Sequence, residues 1–172
     1  MKKFIKIDPK SQDYSRISDQ RGVYIIALRD GCDIPKTQNQ PSYELYEGLR
    51  VLYVGETNEG LNARINKKHF NGTAGRSTLR KSLGCLFGYK LVPRSKNKPD
   101  DGKTTFEKCD EMKLSQWMRD NLIVYYAVVL DDIDSAENEL INSYSPPLNI
   151  QKVPFDNNQN FRDELKALRQ KR

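Results

Sequence analysis

Apolar residues along this chain fall into a few dense runs separated by long polar stretches. Gly22 to Leu28 (Gly-Val-Tyr-Ile-Ile-Ala-Leu) is β-branched and aromatic throughout, which predicts a buried strand. Val51 to Thr57 (Val-Leu-Tyr-Val-Gly-Glu-Thr) predicts a second strand, pairing antiparallel with the first. Between them, Asp30 to Arg50 carries Gly31, Pro35, Asn39, Pro41 and Gly48, so it reads as an elaborated loop or hairpin. Leu61 to about Phe70 has no breaker and reads as helical. Ser77 to about Phe87 is a stronger helix, with Leu79, Leu83, Leu86 and Phe87 at helical spacing and Ser77 as its cap.

The second half follows the same logic. Lys90 to Thr105 is polar and broken by Pro93, Pro99 and Gly102, which predicts a loop. Glu111 to Arg119 predicts a short helix around Trp117, a core residue by its size and type. Leu122 to Leu130 is a strongly apolar strand. Ser135 to Tyr144 is a helix capped by Asp134 or Ser135 and stopped by Pro146-Pro147. Phe161 to Gln170 is a last helix with Phe161, Leu165 and Leu168 on one face. The predicted class is α/β (α+β): a small three-stranded, mainly antiparallel sheet flanked by helices. The expected organisation is a single domain over 1–172, with insertions at 30–50 and 90–105 and a C-terminal helical extension at 155–172.

Composition narrows the class. With 172 residues, 37% hydrophobic and 30% charged, the chain suits one domain with a moderate core. No apolar run reaches the roughly 18 residues of a membrane span, and the basic start has no apolar stretch behind it. Cys32, Cys85 and Cys109 are odd in number and unpaired in spacing, which argues against a disulfide framework or a zinc site and for a cytoplasmic location.

The net charge of +6 is concentrated. Gly60 to Pro99 contains no Asp or Glu and ten Lys or Arg, leaving 19 basic against 23 acidic residues elsewhere. Such a block attracts a phosphate backbone, although a basic run is often only a solvated face. Asn71-Gly72-Thr73-Ala74-Gly75-Arg76-Ser77 runs into a helix start and reads as a phosphate seat, with Arg76, Arg80 and Lys81 beside it. Lys67, Lys68, Arg76, Ser77, Arg80 and Lys81 are the expected nucleic-acid contacts. A flexible connector is the plainer alternative.

Two tyrosines sit in matching strands, in Gly22-Val23-Tyr24 and Tyr53-Val54-Gly55. Arg64 follows in a helix, then Glu137 in a later helix, then Asn149 after the double proline. Each is unremarkable alone. In this order they resemble the GIY-YIG nuclease superfamily, through Gly22-Val23-Tyr24, Tyr53-Val54-Gly55, Leu61-Asn62-Ala63-Arg64-Ile65, Glu137-Asn138-Glu139-Leu140-Ile141 and Pro146-Pro147-Leu148-Asn149. The resemblance spans Gly22 to Asn149. Its alignment favours Glu137 over Glu139, which lies about 200° around the helix from it.

The resemblance implies an endonuclease that hydrolyses phosphodiester bonds in DNA, leaving 5′-phosphate and 3′-hydroxyl ends. It implies Mg²⁺, with Mn²⁺ as a substitute, held by Glu137. Arg64 would clamp phosphate oxygens. Tyr24 would take the proton of the attacking water, although a phenol with a pKa of about 10 needs nearby cations or a relay to do so. Tyr53 would orient water or phosphate, and Asn149 would brace the site. Some relatives place a relay residue four positions after the arginine. Here the only histidine, His69, is five positions on, about 140° from register on a regular helix, and Lys68 has the four-residue step. Either His69 or Lys68 is the candidate. A monomer or a homodimer, acting on DNA and without a membrane, fits this reading. A non-cleaving nucleic-acid-binding module on the same fold, or a basic adaptor for an acidic protein, are the other readings.

Overall fold

The two apolar runs at the start of the pattern form the centre of the sheet. In the computed structural model, which describes residues 3–99 and 101–170, β2 (Gly22–Leu28) is buried along its whole length. It lies between β4 (Leu49–Thr57) and β7 (Leu122–Val128), antiparallel to both. A strand covered on both faces needs a continuous apolar run, and Val23 to Leu28 supplies one.

The sheet has five strands in the order β1-β7-β2-β4-β3, where three were expected. The additions are β1 (Ile5–Ile7), which pairs with β7, and β3 (Leu45–Tyr46), which folds back on the start of β4. Runs of two or three residues are too short to show a period. The 90–105 segment also holds a small hairpin, β5 (Val92–Pro93) with β6 (Thr104–Thr105).

Alternation along the strands divides the core into layers. Tyr24, Ile26, Leu28, Val124 and Tyr126 face a large cluster completed by α1 (Thr78–Leu86), α2 (Lys108–Asn121) and α4 (Gln159–Gln170). Ile25, Ala27, Val54 and Tyr125 face the opposite side, where α3 (Ile133–Tyr144) contributes Ile141. The final helix is integral to this arrangement: Phe161 and Leu165 are buried in the main core. Trp117 is half-buried against the Phe87 ring, as expected.

Two helix details differ from expectation and both affect the site. Ala63–Phe70 is a π-helix, visible in the bond from Asn71 N–H to Asn66 O at 2.9 Å. And α3 begins earlier than expected, capped by Asp132, whose side chain accepts from Ser135 N–H at 3.0 Å. Asp134 is thereby free of capping duty. The three cysteines are free. Among the described residues no helix is long and apolar enough to cross a membrane.

Candidate active site at the free edge of the sheet

The site is built where β4 runs out of partners. Strand β3 covers only Leu49 and Arg50, so the second half of β4 presents an open edge. Asn149 closes it. Its side-chain amide donates to Val54 O and accepts from Val54 N–H, both at 2.9 Å, as a neighbouring strand would. Leu148 N–H adds a bond to Leu52 O at 3.0 Å. The segment after Pro146-Pro147 is thus pinned to β4, and a cleft of about 220 Å³ opens beside it. Because the cleft lies at an edge, both faces of the strand reach it: Tyr53 and Glu56 both line it.

The cleft wall is Arg64, backed by an enclosed pair. Arg64 Nε donates to the Tyr24 hydroxyl at 3.2 Å, and that hydroxyl bonds His69 Nε2 at 2.8 Å. On its other side, His69 Nδ1 bonds Ser77 Oγ at 2.7 Å. The five-residue step from Arg64 to His69 is resolved by the π-helix. A ladder closing five residues on brings both side chains to the same tyrosine, which a regular helix would not do. Gly55 is required beside it, because a Cβ there would meet the Tyr24 hydroxyl at 2.4 Å.

The surroundings of both members favour the uncharged form. Burial drives the His69 pKa well below its ordinary value, and the nearby Arg64, Arg80 and Lys68 cations act in the same direction. Burial also raises the Tyr24 pKa strongly, with Tyr53 adding to it, and outweighs the opposing pull of Arg64. Tyr24 is fully enclosed and does not line the cleft. It meets the cleft through Arg64, whose Nε is bonded to its hydroxyl. The phenol at the cleft surface is Tyr53, whose hydroxyl lies 3.2 Å from Thr78 Oγ1.

Three carboxylates converge in the same region. Glu56, Asp134 and Glu137 place oxygens within 4.8 Å of one another. Lys152 Nζ lies 3.2 Å from Glu137 Oε2 and 3.6 Å from Asp134 Oδ1, and the Glu137 hydrogen bond raises the lysine's pKa. Burial and the Glu137 and Asp134 charges raise the pKa of Glu56. A close all-oxygen donor set with excess negative charge fits a hard divalent cation. Glu137 belongs to this cleft, whereas Glu139 opens onto a different, apolar cavity.

Comparison with known families gives a match over most of the chain: the GIY-YIG catalytic domain aligns with residues 22–171. The chain belongs to the GIY-YIG family. Comparisons with curated proteins and with solved structures gave no match. GIY-YIG domains are typically nucleases and generally metal-dependent, so a nucleic-acid substrate follows at the family level.

Within this GIY-YIG domain, Tyr53, Arg64, Glu137 and Asn149 meet at one cleft, with Tyr24 and His69 behind its wall. The expected nucleic-acid contacts divide differently. Lys67 and Arg76 are exposed, and Lys81 is half-buried at a neighbouring cavity. Lys68 pairs with Glu59, whereas His69 is bonded to Tyr24. Arg80 and Ser77 are buried and cannot meet DNA. Arg80 is held by Glu111 through Nε at 3.0 Å and Nη2 at 2.6 Å, with further bonds to His69 O and Ser115 Oγ. Ser77 is occupied by His69 and by Arg80 N–H. The expected phosphate seat at 71–77 is also filled. Ala74 N–H is bound by Glu111, Arg76 N–H by Thr73 O, and Ser77 N–H by Ala74 O.

Glu56, Asp134 and Lys152 were not anticipated. Asp134 was legible in principle, one helical turn before Glu137 and hence on its face. Glu56 sits directly after Tyr53-Val54-Gly55, but only the edge position of β4 explains why its alternate face matters. Lys152 follows Asn149 in a non-repetitive segment with φ +56°, where no sequence period operates.

Proposed function

We propose that this GIY-YIG domain is a metal-dependent endonuclease that hydrolyses DNA phosphodiester bonds, leaving 5′-phosphate and 3′-hydroxyl ends. The observation that carries the reading is a single cleft lined by Arg64 together with Glu56 and Glu137, two members of the Glu56–Asp134–Glu137 cluster. Among the described residues no carboxylate lies within salt-bridge distance of Arg64, although the residue is half-buried. A guanidinium that shares a cleft with carboxylates without pairing with them is available to a phosphate.

Glu137, helped by Glu56 and Asp134, would hold Mg²⁺, or Mn²⁺ in its place. When bound, the ion supplies positive charge to a phosphate oxygen. The remaining work falls to the chain. Arg64 binds non-bridging oxygens and stabilises the charge that grows on them. Tyr53 orients the attacking water. Water attacks phosphorus, the bond to the 3′ oxygen breaks, and that oxygen leaves as an alkoxide that takes a proton from solvent water to become the 3′-hydroxyl.

The water's proton must go somewhere, and Tyr24 as phenolate is excluded by its raised pKa. Arg64 shifting from Tyr24 to the phosphate would expose the Tyr24 hydroxyl. Tyr24 could then accept the water's proton while passing its own to the neutral Nε2 of His69. The bound phosphate anion offsets the charge that His69 acquires.

Supercoiled plasmid incubated with Mg²⁺ tests this, beside Glu137→Ala and Arg64→Ala, with branched and single-stranded DNA and an RNA strand as further substrates. Nicking by the wild type and loss of it in both variants is the expected result. No cleavage of any DNA, or equal cleavage by the variants, overturns the reading.

A further inference from the structure

A second cavity, of about 370 Å³, adjoins the catalytic cleft and shares Ile150 and Arg169 with it. Its other charged walls are Lys81 of α1 and Lys166 of α4. Arg169 stands near the end of α4 and is steered by a bond from Nη1 to the buried Ser82 Oγ at 3.3 Å. Arg94 belongs to the same neighbourhood, since its charge, after burial and Arg169, contributes to lowering the Lys81 pKa. Among the described residues no carboxylate forms an ion pair with Lys81 or Arg169; Lys166 has one exposed partner, Asp163, at 3.1 Å. Exposed pairs of that kind are weak and readily exchanged.

Cations crowded together without acids raise each other's energy, and an anion relieves them. A free surface run of lysines would need no such relief, because solvent screens it. Here Lys81 and Arg169 are half-buried, and Arg169 opens onto both cavities. The geometry makes a continuous path from the carboxylate cluster, past Arg64 and Arg169, to Lys81 and Lys166.

We propose that the Lys81–Lys166–Arg169 cavity is a second phosphate subsite, which binds a backbone phosphate next to the scissile one on the strand being cut. This rests on the nuclease reading above. It gives the C-terminal helix a substrate-binding role through Arg169 and, of the neighbours Arg80 and Lys81 both expected to contact nucleic acid, keeps only Lys81 in that role.

The test uses the full chain with Ca²⁺ replacing Mg²⁺ and a fluorescein-labelled DNA carrying a cut position mapped on the plasmid. Binding is followed by anisotropy across a salt series. Arg169→Ala and Lys81→Gln should each weaken binding about fivefold to tenfold at low salt and reduce the salt slope by about one. Arg169→Lys should keep the slope, which a purely structural arginine would not require, and melting curves check that each variant is folded. A neutral methylphosphonate at the neighbouring phosphate should weaken the wild type but add nothing in Arg169→Ala. If the wild type binds and cuts DNA while both variants keep its affinity and slope, the subsite is refuted and the nuclease stands. Equal methylphosphonate losses in wild type and Arg169→Ala also refute it. If the wild type neither binds nor cuts any DNA, the nuclease reading fails and the subsite with it.

Discussion

Arg64 and Arg80 come from the same acid-free stretch and both lie on helical segments, yet they end in opposite circumstances. Arg80 is fully enclosed, and the Glu111 carboxylate, the Glu111 and His69 carbonyls and Ser115 Oγ occupy its guanidinium. Arg64 is less enclosed, and its hydrogen-bonding partner is a phenol. Glu111 also gathers Ala74 N–H, Thr105 Oγ1 and Phe106 N–H, so the Arg80–Glu111 pair ties α1, α2, β6 and the 71–77 turn together. One arginine builds the wall and the other faces through it. What separates them is whether a carboxylate reaches the charge, because a paired charge is spent internally and an unpaired one is available to substrate.

The contrast can be broken experimentally. The largest effect should follow Arg64→Ala, with cleavage reduced by about 10³-fold or more and the melting temperature nearly unchanged, read by plasmid nicking and calorimetry. Arg80→Ala should do the reverse: it strands the buried Glu111 and costs about 3–5 kcal/mol of stability in urea unfolding. Arg80→Met with Glu111→Leu should recover much of that loss, because an apolar pair removes both charges. If Arg80→Ala instead melts normally and fails to cut, the division between the two arginines is wrong.

A smaller effect sharpens the role of the sheet edge. Asn149→Ala leaves Val54 N–H and C=O without partners and should cost about 2 kcal/mol, with a parallel loss of cleavage. Asn149→Asp keeps one acceptor but faces the Val54 carbonyl with a second oxygen, so it should not restore either property.

The smallest effect concerns His69. Its folded pKa lies below the ordinary 6.5, so at lower pH the unfolded chain binds a proton that the folded chain refuses. Stability is therefore complete above about pH 6.5 and declines as pH falls below it, by at most about 1.4 kcal/mol per pH unit. His69→Gln should remove that part of the decline in melting curves. An unchanged pH dependence in the variant would mean that His69 is protonated in the fold.

Much of the fold was legible. The strands at 22–28, 51–57 and 122–130 and the helix capped by Ser77 follow from long apolar runs and a side-chain cap, both local signals. The short strands β1 and β3 were not legible, because pairing partners and not their own residues make them strands. The site was partly legible. Tyr53, Arg64, Glu137 and Asn149 were readable from motif order, and the structure collects them in one cleft. The basic segment misled at Arg80 and Ser77, because composition counts charges without showing which are already paired.

The sequence by itself determined the family, the central strands, the preference for Glu137 over Glu139, and the presence of a concentrated positive charge. Only the tertiary structure decided that Ala63–Phe70 winds as a π-helix, bringing His69 to Tyr24, and that Glu56 and Asp134 join Glu137. It also decided that Arg80 is consumed by Glu111 while, among the described residues, Lys81 and Arg169 have no carboxylate ion pair. The physical reason is range. Strand and cap signals act between neighbours in the chain, whereas a charge is neutralised by whatever the fold brings within a few ångströms, here from residues 31 positions away for Arg80 and Glu111.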